Sequence, residues 1–111
     1  MLEFEVKIKP LTVNQAWQGR RFSTPAKKQY EKKMELLLPR CSMAEGYYEI
    51  HYDFYIKNYA LTDLDNMVKV SQDCLVKKKI ISDDRKIIKM VVRKFKDANE
   101  RIVFRILHAT V

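Results

Sequence analysis

Residues 47–57 read Tyr47-Tyr48-Glu49-Ile50-His51-Tyr52-Asp53-Phe54-Tyr55-Ile56-Lys57, and this run decides the fold class. Tyr48, Ile50, Tyr52, Phe54 and Ile56 alternate with Glu49, His51, Asp53 and Tyr55. A period of two with apolar and aromatic residues on one side specifies a strand with one face in a core. The loop Asn58-Tyr59-Ala60-Leu61-Thr62 follows, and from about 63 to 78 the period changes to that of a helix. There Leu64, Met67, Val68, Ser71, Cys74 and Leu75 gather on one face, with Asp65, Lys69, Gln72 and Asp73 on the opposite one.

Outward from this strand–helix pair, residues 2–9 alternate Leu2, Phe4, Val6 and Ile8 with Glu3, Glu5, Lys7 and Lys9, a second half-buried strand. A polar loop runs through Asn14 to Arg21. Thr24 then offers a helix N-cap with Pro25 in the first turn, and Ala26, Tyr30, Met34 and Leu37 form a helical stripe that ends at Pro39. Residues 86–96 and 100–107 read as two further strands around the turn Asp97-Ala98-Asn99. The order β-α-β-α-β-β predicts one α+β domain over residues 1–111, with helices packed on a mixed sheet. A chain of 111 residues has the size of one domain, and two glycines and three prolines leave little that resembles linker.

Charge narrows the function. The net charge is +8, which favours encounter with polyanions, nucleic acid foremost. The basic residues fall in two blocks: seven between Arg20 and Arg40 and nine between Lys77 and Lys96, most of the 22 in the chain. Either block could be a solvated face, or the two could line one surface. Cys41 and Cys74 form no CxxC or Cys/His cluster, so a zinc site is not expected. The N-terminus has no signal-peptide pattern, and no apolar run reaches the roughly 20 residues of a membrane span. The expectation is a soluble cytoplasmic protein with free thiols and no membrane partner.

Inside this basic chain sits an acidic cluster: Asp63-Leu64-Asp65-Asn66-Met67-Val68-Lys69, then Asp73, then Asp83-Asp84. Each piece has a structural reading. Asp63 suits an N-cap, Asp83-Asp84 a turn, and Asp65–Lys69 an i,i+4 ion pair worth a few tenths of a kcal/mol. Together they have a chemistry. Magnesium takes hard oxygen ligands, usually one or two carboxylates with water and substrate phosphate. Phosphodiester hydrolysis needs an activated water and neutralised charge, and a nearby lysine can stabilise the transition state. Crowded carboxylates repel one another and DNA unless a cation is bound. A helix of about 15 residues spans over 20 Å, so the chain must double back for Asp84 to meet the earlier aspartates.

At these residues the sequence resembles the RusA family of Holliday-junction resolvases, whose pattern is D-x-D-N-x-x-K, a following D-x-L, and a D-D pair before a strand. The matching positions are Asp63, Asp65, Asn66 and Lys69, then Asp73 and Leu75, then Asp83 and Asp84. Asn14, Arg20, Arg21 and Tyr30 look like the family less specifically. The resemblance implies a homodimeric, Mg2+-dependent endonuclease that binds four-way DNA junctions and makes paired symmetric nicks, without a small-molecule cofactor. It implies Asp63, Asp65 and Asp84 as metal-binding carboxylates and Lys69 as the catalytic lysine. Such nucleases are commonly encoded by phages and prophages, so a bacterial or phage-infected cell is the expected setting. Candidate DNA contacts are Asn14, Arg20, Arg21, Lys27, Lys69, Lys77, Lys78 and Lys79. Two departures stand out: Leu61-Thr62 where members often carry a basic residue or Lys-Pro, and Lys77-Lys78-Lys79 where a glycine is common.

No nucleophile–base pairing is readable at His51 or His108. Trp17 could stack on a base or anchor its loop, and the tyrosines of 47–59 suit the sheet core or a dimer interface. Two rival functions stand beside the nuclease: a catalytically weak branched-DNA-binding protein, and a basic interaction domain whose aspartates only cap a helix.

Overall fold

The computed structural model describes residues 1–18 and 22–111. Its elements are β1 (Leu2–Val6), α1 (Val13–Ala16), β2 (Trp17–Gln18), β3 (Phe22–Ser23), α2 (Pro25–Leu37), β4 (Tyr47–Ile56), α3 (Val68–Lys77), β5 (Ile87–Lys96) and β6 (Arg101–Ala109). The principal sheet has the order β1-β6-β4-β5, in which β4 and β5 are parallel and the other pairings antiparallel. This is the expected α+β architecture on a mixed sheet. Parallel neighbours require a crossover, and α3 supplies it, carrying the chain from the end of β4 to the start of β5.

The alternation read in β4 is the one observed: Tyr48, Ile50, Tyr52, Phe54 and Ile56 are buried beside Ile102, Phe104 and Ile106 of β6. Tyr30 and Met34 of α2, with Val70, Cys74 and Leu75 of α3, complete the core on that face. The opposite face stays open to solvent on one side of the sheet, yet Asp53 there is only 3% exposed. Arg93 covers it with two parallel hydrogen bonds of 2.8 Å, and Arg105 approaches to 3.7 Å. A bidentate guanidinium satisfies both carboxylate oxygens, the condition for hiding a charge at a sheet surface. Around it Tyr55 stacks on Phe95, and Arg101 lies over Tyr55.

Thr24 caps α2 through a hydrogen bond from Lys27 N, with Pro25 in the first turn as expected. The stripe on α2 is narrower than read: Ala26 and Leu37 are exposed, and Leu38, beyond the helix end, is buried in their place. The chain leaves α2 in extended conformation at Leu38, before Pro39, which swings the next apolar side chain under the sheet.

The helix expected from about 63 begins only at Val68. Short 3-10 turns at Tyr59–Leu61 and Asp65–Met67 precede it. Asp and Asn favour turns over helix interiors, and Asp63, Asp65 and Asn66 crowd this entry. The amphipathic reading of α3 also changes. Gln72, placed on the outer face, is 8% exposed and buried beside Val70 and Ser71. Helices packed between a sheet and another helix bury more than one stripe. Its polar groups are satisfied across the core: Tyr52 Oη donates to Gln72 Oε1 at 2.9 Å, and Tyr30 Oη and Ser71 Oγ lie 2.8 Å apart. These two bonds fix the rotation of α3 against β4 and α2.

Candidate active site

The site is built where the β4–α3–β5 crossover enters and leaves the helix. On the entry side, the loop after β4 is pinned by a lysine that sequence reading passed over. Lys94 of β5 donates to the carbonyls of Tyr59 at 2.8 Å and Thr62 at 3.1 Å, and its ammonium lies over the Tyr59 ring. Thr62 Oγ1 donates to Asn58 O, closing the same loop. The next residue, Asp63, is exposed. It does not act as an N-cap: Leu64 precedes the 3-10 turn and Met67 precedes α3, and neither position carries a side-chain cap. Asp65 opens the 3-10 turn and is exposed. Two carboxylates thus stand at the helix entrance without a capping role.

On the exit side, α3 has ten residues and is therefore about 15 Å long. The reversal that the sequence demanded is made immediately after it. Lys79 N–H donates to Val76 O and Ile80 N–H to Leu75 O, the paired bonds of a Schellman motif. The residue between helix and return strand, Lys79, has φ +63°, the left-handed conformation that glycine adopts without strain. Lysine here therefore holds a backbone conformation that costs a residue with a Cβ more than it would glycine. Buried Ile80 and Ile81 seat the turn, while Ser42 Oγ donates to Lys79 O and Met43 N–H to Ile80 O.

The reversal brings Asp84 to the helix. Lys69 Nζ donates to Asp73 Oδ1 at 2.9 Å and lies 3.5 Å from Asp84 Oδ2. Hydrogen bonding to Asp73, reinforced by Asp84, holds the Lys69 pKa above its ordinary value, so the ammonium stays charged. Of the two i,i+4 partners open to Lys69, it pairs with Asp73 and not with Asp65, the structural alternative read for that aspartate. The Asp83-Asp84 dyad divides its work. Asp83 caps the 3-10 turn Asp84–Lys86, accepting from Arg85 N–H and from its guanidinium, which holds its carboxyl at about 2. Asp84 has its carboxylate turned to Lys69.

Asp65 and Lys69 share one groove between the helix entrance and β5. Among the described residues, no three acidic, His or Cys side chains are gathered as a ready-made metal cage. Hard carboxylate oxygens on both sides of one lysine are nevertheless the donor type that magnesium selects, and it is commonly held by one or two carboxylates with water and phosphate making up the rest. The chemistry of the donors suits such an ion, while Asp63, Asp65 and Asp84 are not gathered into one cluster.

The other basic candidates pair mostly with α2. Lys27 pairs with Glu31 at 2.9 Å and lies over Trp17, Lys77 pairs with the same Glu31, and Lys78 pairs with Glu35. The pairs of Lys77 and Lys78 tie the C-terminal end of α3 to α2, and that of Lys27 lies within α2. Lys79 and Asn14 are exposed. Arg20 and Arg21 lie outside the described residues. Trp17, in β2, is partly exposed, with the Lys27 ammonium over its ring. His51 bonds Glu49 at 2.6 Å and His108 bonds Ala44 O, so neither faces the site.

Comparison with known protein families matches residues 7–107 to the family described as Endodeoxyribonuclease RusA. Comparison with curated proteins finds no match.

Proposed function

Because the chain belongs to the RusA endodeoxyribonuclease family, whose members act on branched DNA junctions, we propose that it is a Mg2+-dependent, homodimeric resolvase that cuts four-way junctions by paired symmetric nicks. The observation that carries the reading is the convergence of Asp84 and Asp73 on Lys69 across the crossover, in the groove edge that also holds Asp65. Asp63, Asp65 and Asp84 would hold magnesium, which supplies charge neutralisation at the phosphate and an acidified water. Lys69, kept protonated by Asp73 and Asp84, is suited to stabilise negative charge as it builds on the phosphoryl oxygens. Its ammonium also balances two carboxylates that would otherwise repel the substrate.

A two-fold dimer supports the pairing of nicks, since two related strands call for two related sites. Net charge +8 favours long-range attraction to the junction. Asn14, Arg20, Arg21, Lys27, Lys77, Lys78 and Lys79 are the proposed phosphate contacts. Free Cys41 and Cys74 suit the reducing cytoplasm of a bacterial or phage-infected cell. Among the described residues, no helix is long and apolar enough to cross a membrane.

The test is strand nicking of a synthetic four-way junction against a matched linear duplex, with magnesium or with EDTA, and with Asp65→Asn alongside. The expected result is symmetric nicks confined to the junction, requiring magnesium and lost in the variant, which retains or improves DNA binding because a negative charge is gone. Tight junction binding with no cleavage across several junction sequences would instead mark a branched-DNA-binding protein.

A further inference from the structure

Beside Asp65 and Lys69 lies a groove of about 570 Å3 whose walls are Leu64 and Val68 from the helix entrance and Met90 and Val92 from β5. Met90 is about half exposed, an unusual state for a large apolar side chain in the middle of a ten-residue strand. Gln72 also lines the groove and is more than nine-tenths buried. Its Oε1 accepts the Tyr52 hydroxyl, which fixes the amide plane. Its Nε2 has no hydrogen-bond partner among the described residues, and none of their fully buried side-chain N or O atoms lacks one, so the amide nitrogen reaches solvent where Gln72 lines the groove. An apolar slot with one oriented donor at its base, opening on charged groups, has the make-up of a ligand subsite.

We propose that this groove receives an unstacked nucleobase of the DNA substrate, adjacent to the phosphate at Lys69, and that Gln72 reads its edge; the inference rests on the nuclease reading above. Gln72 lies one helical turn from Lys69, about 5 Å along the same helix, which is the reach from a phosphate to its own base. At a branch point the continuous stack of the duplex is interrupted, so a base there unstacks more readily than within a duplex. With its amide oxygen already accepting from Tyr52, Gln72 presents its free N–H donors to the groove. Such a donor meets an acceptor on the base edge, a carbonyl oxygen in guanine, cytosine or thymine or a ring nitrogen in adenine. The position of that acceptor within the slot sets which base fits best. The apolar walls shelter the ring faces, and the donor fixes how the base edge is seated.

The experiment uses the full chain and four-way junctions that differ only at the nucleotides flanking the cleavage position. Three variants are compared with the original protein. Met90→Thr removes one wall. Tyr52→Phe/Gln72→Met removes both hydrogen-bond partners together, so no buried polar group is left alone and the fold is retained. Tyr52→Phe alone keeps the donor but frees its orientation. Circular dichroism and junction binding in EDTA establish folding and affinity. A second readout is independent of cleavage: pyrrolocytosine, a fluorescent cytosine analogue that keeps its C2 carbonyl and brightens on unstacking, is placed at each flanking position.

The expected result is cleavage that differs about tenfold among the four bases at one flanking nucleotide, with pyrrolocytosine brightening there on binding. The double variant should lose the discrimination, and Met90→Thr should lose much of the brightening, both with junction affinity preserved. Cleavage at the branch with an unchanged base profile in the variants, or a probe that stays stacked, would overturn the groove assignment and leave the nuclease reading standing. No junction cleavage by the original protein would overturn both.

Discussion

The Lys69 ammonium lies 3.5 Å from Oδ2 of Asp84, although 15 residues separate them in the chain. The contact exists because α3 is short and the turn at Lys79 sends the chain straight back along it. It separates the two members of the Asp83-Asp84 pair by role, which yields the most direct test of the site. Asp84→Asn should reduce junction nicking by about two to three orders of magnitude while leaving junction binding intact. Asp83→Asn should instead lower the melting temperature and keep magnesium-dependent nicking. Nicking gels and thermal melts of both variants check this; equal loss of cleavage in the two would contradict the division.

Lys94 holds the loop that delivers Asp63, through the carbonyls of Tyr59 and Thr62. Lys94→Met should leave the fold in place but reduce nicking by on the order of ten- to a hundredfold, because small misplacements at a reacting centre are costly. Lys94→Gln, which can still donate to one carbonyl, should recover part of it. Single-turnover rates on the junction, with affinities measured in EDTA, distinguish loop positioning from loss of a phosphate contact.

Lys79 occupies a left-handed position with φ +63°. Lys79→Gly should stabilise the protein by roughly 0.5–1 kcal/mol, the relief of backbone strain less the extra freedom of glycine in the unfolded chain. Lys79→Val should destabilise it, as a β-branched side chain fits that region worse. Urea denaturation midpoints at a common m-value decide the sign.

Tyr30 and Ser71 share a buried hydrogen bond of 2.8 Å between α2 and α3. Tyr30→Phe should cost about 1–2 kcal/mol, since a buried hydroxyl on Ser71 is left without its partner. Tyr30→Phe/Ser71→Ala should cost less than the two single changes together, and a double-mutant cycle measures the difference.

Burial pushes the Cys74 thiol up to about 11 from an ordinary 9.0, with Asp73 adding to the shift. A raised folded-state value means the native protein keeps a proton that the unfolded chain gives up. That contribution to stability is complete below pH 9 and is lost as pH rises toward 11. Pulsed iodoacetamide labelling at pH 8 should therefore modify Cys41, which is partly exposed, and spare Cys74 until the protein is unfolded. Mass spectrometry of the labelled peptides reads the outcome, and rapid native labelling of Cys74 would refute it.

The sequence by itself determined the strand pattern, the α+β class, the family and the identity of the acidic and basic groups available for chemistry. Period-two alternation at 47–57 and the cap at Thr24 are local properties, dictated by pleat geometry and backbone donors that need a partner within three residues. The tertiary structure alone decided which of these groups meet. Helical periodicity set Gln72 outside, whereas two packed surfaces bury it against Tyr52. The i,i+4 rule allowed Lys69 to pair with Asp65 or Asp73, and it took Asp73, because Asp65 lies in a 3-10 turn before the helix begins. Nothing local marks Lys94 as the clamp on Asp63, since that contact joins β5 to a loop 32 to 35 residues away. Nor does spacing choose between Asp83 and Asp84: the choice follows from the direction in which the chain leaves the turn at Lys79, and that direction is set by Ile80 and Ile81 packing into the core.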